Sequence, residues 1–534
     1  MATRLLLALA GALLIVRLPS LVQPMGPDQG LYAYVGERIR HGELAYRDAW
    51  DQKPPGIHYV YAALRTASPR DLVVPAADLV AAALVAALLW VLGTRLGGPL
   101  AGGVSAALFL LLSDPSFARY GGVRVRAQCE TFIALAVTAA LALAIRGSQG
   151  SRGSQGSRAA RLLGAGLMLG AAFALKYNAG LYVLVVLLAV AVTSGLALLD
   201  LVWIAAGALV IPVTLLAIFW RGGALNDLYQ ATIAYNLLYS GETYASRWDM
   251  VRYLVSFPIQ HARVDALWFA GGLGCSVLAV AGLWTLGRRR PGGGGRAAWL
   301  PVAWVSVACL SIAINGSRNL PQYFLQAAPA LALAAGVAAT MALAPLPKIA
   351  RWVIVLLVAV GVWRVGDDPF PKFAGNIWHD TQFLAGRIDR RAHLVKYGGA
   401  RDVDKYSALD NMDIGAFLAS KTTPDETVYV FGYSPGSYVY ANRRSASRFF
   451  WSRPVILDFN REDPRYGVAG LLADLERSRP AYVILQHHDW SPDVQDSGPF
   501  FMSQPSLGGW LRAGYHQVPL IDVGGFDAWE RNAR

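Results

Sequence analysis

Long apolar segments constrain this chain more than any other feature. About eleven of them are each about 17 to 24 residues long, which is the length that a helix needs to cross a bilayer. Only 16% of the residues are charged, whereas soluble proteins average about 25%. The sequence therefore predicts a polytopic α-helical membrane protein with about eleven transmembrane helices, over 4–22, 72–95, 98–114, 127–146, 159–177, 179–198, 200–220, 266–287, 298–314, 323–345 and 350–366.

Residues 1–22 also resemble a signal peptide, because Arg4 precedes an apolar stretch. That stretch continues past Arg17 and further spans follow, so we expect an uncleaved first helix. Residues 56–66 are apolar but short, and we expect a helix that lies at the membrane interface.

Basic residues in the short loops predict the orientation. They gather in the loop from Arg146 to Arg161, in Arg288–Arg290, and around the turn flanked by Lys348 and Arg351. With an odd number of spans and a cytoplasmic N-terminus, all three loops face the cytoplasm, as the positive-inside rule requires. We therefore expect an inner-membrane, multi-pass protein whose C-terminus is extracytoplasmic. Much of the formal charge of +13 lies in such short loops, where it sets orientation, so it does not indicate nucleic-acid binding.

The residues after the last span predict a separate domain. Helical and short apolar strand-like stretches alternate there, which is typical of a small α/β domain. The chain then divides into a membrane domain, 1–366, and an extracytoplasmic soluble domain, 367–534. The stretches that carry this prediction are the helices 414–419 and 468–477 and the strands 427–431 and 482–485.

Unusual polar and aromatic residues gather on the predicted outer side. A charge within or beside a membrane span is costly, so it is a functional hypothesis by default. The candidates are Asp28, Tyr32, Trp50 and Lys53 in the first outer loop, Arg126 and Glu130 at the fourth span, Lys176 at the end of the fifth, Arg221 after the seventh, and Tyr323 at the start of the tenth.

Each candidate also has a purely structural explanation. Arg126 and Glu130, at positions i and i+4, have the spacing of a helix ion pair. Lys176 has the length to reach the interface, and Arg221 the position to contact lipid headgroups. Tyr323 fits an aromatic belt, and Asp28 fits a cap for a helix that begins at Gln29. These alternatives stay open on the sequence alone.

The residue types nevertheless fit one chemistry, the transfer of a sugar from a lipid phosphate. That reaction needs a carboxylate to take a proton from the incoming hydroxyl, and cations to stabilise the departing phosphate. Aromatic faces such as Trp50 or Tyr32 suit a sugar. We assign the base to Asp28, in a loop between Gly26 and Gly30, and a positioning or acceptor-binding role to Glu130, which a pairing with Arg126 would weaken as a base.

Several other classes of site are excluded. The sequence contains no GxxxxGK[ST], HExxH or CxxC motif and no Cys/His cluster, so it predicts no nucleotide loop, zinc site or disulfide framework. Asp402-Val403-Asp404 matches the DxD of nucleotide-sugar transferases, but a three-letter pattern in a polar linker is expected by chance. No metal ligand set and no cofactor are predicted; a divalent cation stays an open alternative.

Two motifs of the first loop carry a family resemblance. Residues 28–33, Asp-Gln-Gly-Leu-Tyr-Ala, and 50–55, Trp-Asp-Gln-Lys-Pro-Pro, resemble the acidic and lysine-Pro-Pro motifs of GT-C glycosyltransferases of the protein O-mannosyltransferase and aminoarabinose-transferase superfamily (bacterial family 39-like). Gln29 stands where those enzymes usually have a second acid. Glu130, Lys176 and the Pro-Gln-Tyr at 321–323 match further family positions, and Phe431–Pro435 with Tyr438 is similar to extracytoplasmic domains of bacterial relatives.

The resemblance implies a GT-C-like membrane fold and an inverting hexosyl- or pentosyltransferase. Its implied partners are a polyprenyl-phosphate sugar donor, a cell-envelope acceptor (glycan, lipid or protein) and the lipid bilayer. In that family the lysine of the second motif contacts the lipid phosphate, which implies that role for Lys53. Two other classes remain as alternatives: a transporter or flippase of lipid-linked sugars, and an envelope assembly scaffold. A transporter would be expected to show internal repeats, and none is evident.

Overall fold

The computed structural model describes residues 2–115, 122–145, 155–241, 243–287, 299–365, 369–397, 406–520 and 523–533. The α-helices run over Ala2–Arg17, Pro27–Arg40, Gly56–Ala67, Val73–Gly97, Pro99–Leu112, Cys129–Ala144, Gln155–Leu175, Val183–Ser194, Leu198–Arg221, Leu225–Tyr229, Tyr235–Gly241, Arg247–Ala262, Ala266–Gly287, Trp299–Ile314, Ala328–Leu343, Lys348–Arg364, Pro369–Leu384, Arg390–Val395, Ala408–Lys421, Gly436–Ala441, Arg453–Ile456, Gly467–Ser478, Ser497–Ser503 and Pro505–Gly514. Short 3₁₀ or π segments cover Leu18–Val22, Gly122–Val125, Tyr177–Tyr182, Gln230–Ala234 and Pro321–Ala327.

Over the described ranges, every predicted span coincides largely with helical segments of the structure. In the described residues, seven helices are long and apolar enough to cross a membrane. The apolar helices Pro99–Leu112, Cys129–Ala144 and Trp299–Ile314 are shorter. Lys348–Arg364, the last predicted span, is a 17-residue helix that buries none of its side chains. The chain is thus a mostly helical protein with multiple candidate spans, while the count of eleven crossings stays a prediction.

The membrane helices pack closely where small residues meet. A Cβ on Gly166 would lie 2.1 Å from the carbonyl oxygen of Ile204, and one on Gly207 would lie 2.0 Å from that of Leu163. Side chains at these two positions would push the helices Gln155–Leu175 and Leu198–Arg221 apart. Apolar solvent offers no hydrophobic drive between helices, so close backbone approach at small residues is how such helices gain packing energy.

Contacts between residues divide the described chain into two compact units. The first unit, called the helical unit below, comprises 1–21, 75–218 and 237–378. The second, called the mixed unit, comprises 22–74, 219–236 and 379–534. The predicted first outer loop therefore packs with the C-terminal residues. The predicted domain boundary at residue 366 stays a prediction about which segments fold on their own.

The mixed unit contains the small α/β fold predicted for the C-terminal residues. Its strands are β1 (Thr427–Phe431), β2 (Arg444–Ser445), β3 (Tyr482–Gln486), β4 (Tyr515–Val518) and β5 (Phe526–Arg531). The sheet order is β2-β1-β3-β5-β4. The neighbours of β1 are parallel to it, with Val428 opposite Tyr482, whereas β5 is antiparallel to β3 and β4. The central strands β1 and β3 are almost fully buried, which explains their unbroken apolar sequences.

Candidate functional site

Asp28 lies at the start of a helix and not in a loop. The helix begins at Pro27, with Gly26 as its N-cap residue, so Asp28 occupies the first turn. The expected cap for a helix beginning at Gln29 is therefore wrong. Proline is favoured at this position because the first helical N–H has no partner to lose. A carboxylate in the first turn is stabilised by the helix dipole, and the Asp28 side chain is half-buried.

Tyr433 contacts Asp28 directly. The Tyr433 hydroxyl donates a short hydrogen bond to Oδ1 of Asp28. Tyr433 follows strand β1, and its backbone N–H donates to Oε1 of Gln486, at the end of strand β3, over 2.8 Å. Two adjacent central strands therefore fix the loop that carries Tyr433, and the loop in turn orients the carboxylate of Asp28.

The helix of Asp28 packs tightly on the C-terminal fold. A Cβ on Gly30 would lie 2.9 Å from the backbone nitrogen of Gly436, so a side chain there would separate the two helices. One turn further on, the hydroxyl of Tyr34 accepts a hydrogen bond of 2.8 Å from the backbone N–H of Ser445. These contacts explain why the short motif at 28–34 needs glycine and tyrosine at these positions.

Trp50 and Tyr32 are core residues of the mixed unit. Both rings are fully buried. Trp50 meets Tyr235 edge to face at 4.8 Å between ring centroids, and the indole N–H of Trp451 donates to the Trp50 carbonyl oxygen over 3.1 Å. Tyr32 packs edge to face on Tyr61 at 5.4 Å. The expectation that these two rings stack on a sugar is therefore corrected: their burial gives them a packing role.

Lys53 is held at a rigid turn. The hydroxyl of Tyr46 donates to the Lys53 carbonyl oxygen over 2.7 Å, and the proline pair that follows leads into the helix Gly56–Ala67. Beneath this turn, Nε2 of His58 lies 3.2 Å from Oδ2 of Asp51, and both side chains are buried. The hydroxyl of Tyr46 thus holds the backbone of Lys53, while the Lys53 side chain is half-buried.

Arg221 ends the helix Leu198–Arg221 and its side chain is exposed. In the segment that follows, a different ion pair forms, with Nη1 of Arg448 at 3.2 Å from Oδ1 of Asp227. Arg221 belongs to the same compact unit as Asp28 and Lys53. Its role in binding a donor phosphate stays a prediction.

Glu130, Lys176 and Tyr323 form one cluster in the helical unit. Nζ of Lys176 lies 2.5 Å from Oε1 of Glu130 and 4.3 Å from the centroid of the Tyr323 ring. Glu130 is 1% exposed and Lys176 is 5% exposed. The sequence placed these residues on three different predicted spans, and the structure brings them together as a buried ion pair with a cation–π contact.

Arg126 does not form the expected helix pair with Glu130. The helix begins at Cys129, so Arg126 lies in the turn before it and the i, i+4 spacing does not apply. Nη1 of Arg126 lies instead 3.2 Å from Oδ2 of Asp78. The structural reason is that a tight turn at Ala127, whose φ is 47°, separates Arg126 from the helix. The assignment of a positioning role to Glu130 because of Arg126 is therefore corrected.

A second buried ion pair completes the charge network of the helical unit. Nε of Arg17 lies 3.1 Å from Oδ2 of Asp114, and Nη2 of Arg126 lies 3.9 Å from Oδ1 of Asp114. A cavity of ≈ 30 Å³ lies beside Arg17 and Asp78, large enough for water. The network thus holds two positive and two negative buried side chains, and each has an oppositely charged neighbour.

Sequence reasoning missed the roles of four residues that matter here: Arg17, Asp78 and Asp114 of the network, and Tyr433 beside Asp28. It also missed the pairing of Lys176 with Glu130. The first three lie inside predicted spans, so a search for charges within spans could have found them. Tyr433 stands in the quoted motif after β1, but its contact with Asp28 joins positions 405 residues apart. Nothing local in the sequence reports such a contact.

In the part of the chain that the structure describes, no group of three or more His, Cys, Asp or Glu side chains is placed to hold a metal ion. The Asp402–Asp404 motif and the Arg288–Arg290 cluster lie outside the described residues.

Comparison with known proteins identifies the fold. No family model and no curated protein sequence matches the chain. Among solved structures, it is similar to ArnT from Cupriavidus metallidurans in the apo state, with a TM-score of 0.59 and 16% identity over 99% of this chain and 98% of that one. The same protein bound to undecaprenyl phosphate gives a TM-score of 0.57, with the same identity and coverage.

A weaker similarity, with a TM-score of 0.47 and 13% identity, links the chain to the oligosaccharyltransferase of Archaeoglobus fulgidus, over 90% of this chain and 69% of that one. The ArnT similarity extends over nearly the whole length of both chains and confirms the GT-C fold expected from the sequence.

Proposed function

We propose that this protein is a membrane glycosyltransferase that transfers a sugar from a polyprenyl-phosphate donor to a hydroxyl of a cell-envelope acceptor. The observation that supports the proposal most strongly is the half-buried carboxylate of Asp28, oriented by Tyr433 in a chain that has the fold of ArnT over 99% of its length. A solved ArnT structure contains undecaprenyl phosphate, which makes a polyprenyl phosphate the natural leaving group to test.

The proposed reaction is a single displacement with inversion. Asp28 takes the proton of the acceptor hydroxyl while that oxygen bonds to the anomeric carbon of the sugar. The bond between this carbon and the phosphate oxygen breaks, and the polyprenyl phosphate leaves with the electron pair. Lys53 stabilises the added negative charge, because a cation near a departing phosphate lowers the barrier. The transferred sugar is a hexose or a pentose.

The remaining candidates receive supporting roles in this proposal. Glu130, Lys176 and Tyr323 form a buried ion pair with an aromatic neighbour, and we assign them to shaping and positioning within the helical unit. Arg126 supports that unit through Asp78, and Arg221, exposed at a helix end, is a candidate for lipid phosphate contact. We propose that the reaction takes place on the extracytoplasmic side of the inner membrane.

A transfer assay tests the proposal. The full-length protein in nanodiscs is incubated with labelled polyprenyl-phosphate sugars and with extracts of envelope glycans, lipids and proteins as acceptors. We expect label to move from the donor to one acceptor class. Translocation of an unmodified donor across sealed vesicles, without transfer, would instead identify a flippase. Neither activity, together with recovery of a stable protein complex, would favour the scaffold.

Lys53→Ala is expected to weaken use of the donor. Hydrogen bonds to charged groups are worth about 1.5–3 kcal/mol, so the KM for the donor should rise roughly 10- to 150-fold. Lys53→Arg keeps the positive charge and should lose less. The matched control is Lys421→Ala, a lysine that is exposed at a helix end of the same unit. Equal donor KM values for the wild type and Lys53→Ala would remove Lys53 from the site.

The extracytoplasmic position of the C-terminal residues is tested by a fusion. A reporter that is active only in the cytoplasm, placed after Arg534, should give no signal. The basic loops are expected to stay in the cytoplasm, and with an odd number of spans the C-terminus then lies outside. The same reporter placed after Gln155, beside the arginine-rich loop, is the positive control. A strong signal from the C-terminal fusion would contradict the predicted orientation and the side of the reaction.

A further inference from the structure

Arg453 is a buried cation for which the described residues provide no hydrogen-bond acceptor and no ion pair. It begins the short helix Arg453–Ile456 and is only 7% exposed. Among the described residues, its Nε atom has no hydrogen-bond partner and its guanidinium has no ion pair. Burying a charge costs several kcal/mol unless it is paired and hydrogen-bonded. Packing alone therefore does not explain why this arginine is buried, and a bound ligand would.

A second arginine of the same unit shows what a structural role requires. Arg443 is also 7% exposed, but its guanidinium donates to Oγ1 of Thr422 over 2.8 Å and to carbonyl oxygens, including that of Thr422 at 2.5 Å. Arg443 thus joins a helix end to a strand. Arg453 makes no comparable bonds in the described residues, so its donors remain available to a ligand.

Aromatic contacts connect Arg453 to Asp28. Cζ of Arg453 lies 5.0 Å from the centroid of the Trp490 ring, within cation–π distance. The ring of Trp490 in turn lies 5.0 Å from the ring of Tyr433, whose hydroxyl donates a hydrogen bond to Asp28. The cation of Arg453 and the carboxylate of Asp28 are therefore linked by successive contacts through Trp490 and Tyr433.

Trp490 is fixed by a network of buried polar groups. Its indole N–H donates to Oγ of Ser452 over 2.8 Å, and the Ser497 hydroxyl donates to the same atom over 2.6 Å. Asp489 joins this network through the backbone N–H of Ser497 at 3.0 Å, and burial raises its pKa to about 6. These bonds hold the indole, so the aromatic face that contacts the guanidinium of Arg453 is fixed.

We propose that Arg453 binds an oxyanion, phosphate or carboxylate, of the acceptor substrate. This inference rests on the proposed function, because it is the acceptor hydroxyl whose proton Asp28 takes. An acceptor with its hydroxyl at Asp28 and its anionic group at Arg453 lies along the half-exposed Tyr433 ring, a face suited to a sugar. A guanidinium binds phosphate and carboxylate with two parallel hydrogen bonds, so the orientation of the acceptor is fixed as well as its charge.

Equilibrium binding to the full-length protein in nanodiscs tests the inference. The probes are glucose 1-phosphate and glucuronate as anionic sugars, glucose as the neutral sugar, and undecaprenyl phosphate as the lipid anion. In Arg453→Gln, loss of a charge-assisted hydrogen bond should raise the Kd for both anionic sugars about 10- to 150-fold. The increase should be smaller in Arg453→Lys. Binding of glucose and of undecaprenyl phosphate should not change. The matched control is Arg512→Gln, which removes an exposed arginine of the same unit.

The melting temperature distinguishes binding from packing. Removal of an uncompensated buried charge should leave the Tm of Arg453→Gln unchanged or higher. A lower Tm with unchanged affinity for the anionic sugars would make Arg453 a packing residue and overturn the inference. Selective loss of undecaprenyl phosphate would overturn it too, since the donor would then be the ligand. No turnover is needed in this test, so an absence of transfer activity contradicts the proposed function without affecting the binding result.

Discussion

Asp28→Asn is expected to lose at least ~100-fold in turnover, the lower end of what a general base contributes. Asparagine has nearly the same size, and its amide oxygen can still accept the hydrogen bond from the Tyr433 hydroxyl. It cannot take a proton from the acceptor. The loss of charge from the first helical turn should cost only about 0.3–1 kcal/mol of stability, so the variant should fold and insert. The measurement is the rate of transfer at saturating donor.

Three comparisons make this experiment decisive. Asp425→Asn removes an exposed carboxylate of the same unit and should retain wild-type activity. Tyr433→Phe should lose less turnover than Asp28→Asn, because it removes the hydroxyl that orients the base and leaves the base in place. Glu130→Gln should also lose less. Near-normal turnover of Asp28→Asn together with an inactive Glu130→Gln would reverse the two assignments.

Lys176→Met is expected to destabilise the helical unit by about 3–5 kcal/mol, the usual cost of leaving one partner of a buried ion pair uncompensated. Glu130 is almost fully buried and its carboxylate lies 2.5 Å from the lysine that would be lost. Methionine fills a similar volume, so the main change is the loss of the charge. The free energy of unfolding is measured in mixed micelles with increasing denaturing detergent.

A double variant separates charge from packing. Lys176→Met combined with Glu130→Gln removes both charges and should recover most of the lost stability. Replacing both partners of a buried ion pair by uncharged residues often leaves stability unchanged. Arg252→Gln is the control, because Arg252 is 82% exposed in its pair with Asp249 and such pairs are worth about 0–1 kcal/mol. A double variant as unstable as Lys176→Met would show that the cost does not come from an unpaired carboxylate.

The sequence was sufficient for the long apolar helices, for two central strands and for the fold class. Apolar runs of bilayer length predicted helices that the structure contains, including Val73–Gly97 and Ala266–Gly287. Short apolar runs bounded by turns predicted β1 and β3 to within one residue. Helices and strands of this kind depend on nearby residues and on the surrounding solvent. The length and spacing of their apolar residues can therefore be read directly from the sequence. The two motifs of the first loop also pointed to the fold that the comparison with ArnT confirms.

Partnerships between distant residues were decided by tertiary structure. The i, i+4 spacing of Arg126 and Glu130 predicted a pair, but the helix begins only at Cys129, after a turn at Ala127. Arg126 pairs instead with Asp78, and Glu130 pairs with Lys176. Trp50 was expected to face a substrate, and packing of 22–74 with the C-terminal fold buried it instead.

Local pattern therefore determined the long helices and the central strands β1 and β3, and it suggested the candidate chemistry of Asp28 and Lys53. Only the folded chain decided that Tyr433 would orient Asp28, and that Arg453 would be buried without a partner of its own among the described residues. The physical reason is that a hydrogen bond or an ion pair forms between groups that packing brings within about 3 Å, and separation along the chain carries no information about that distance.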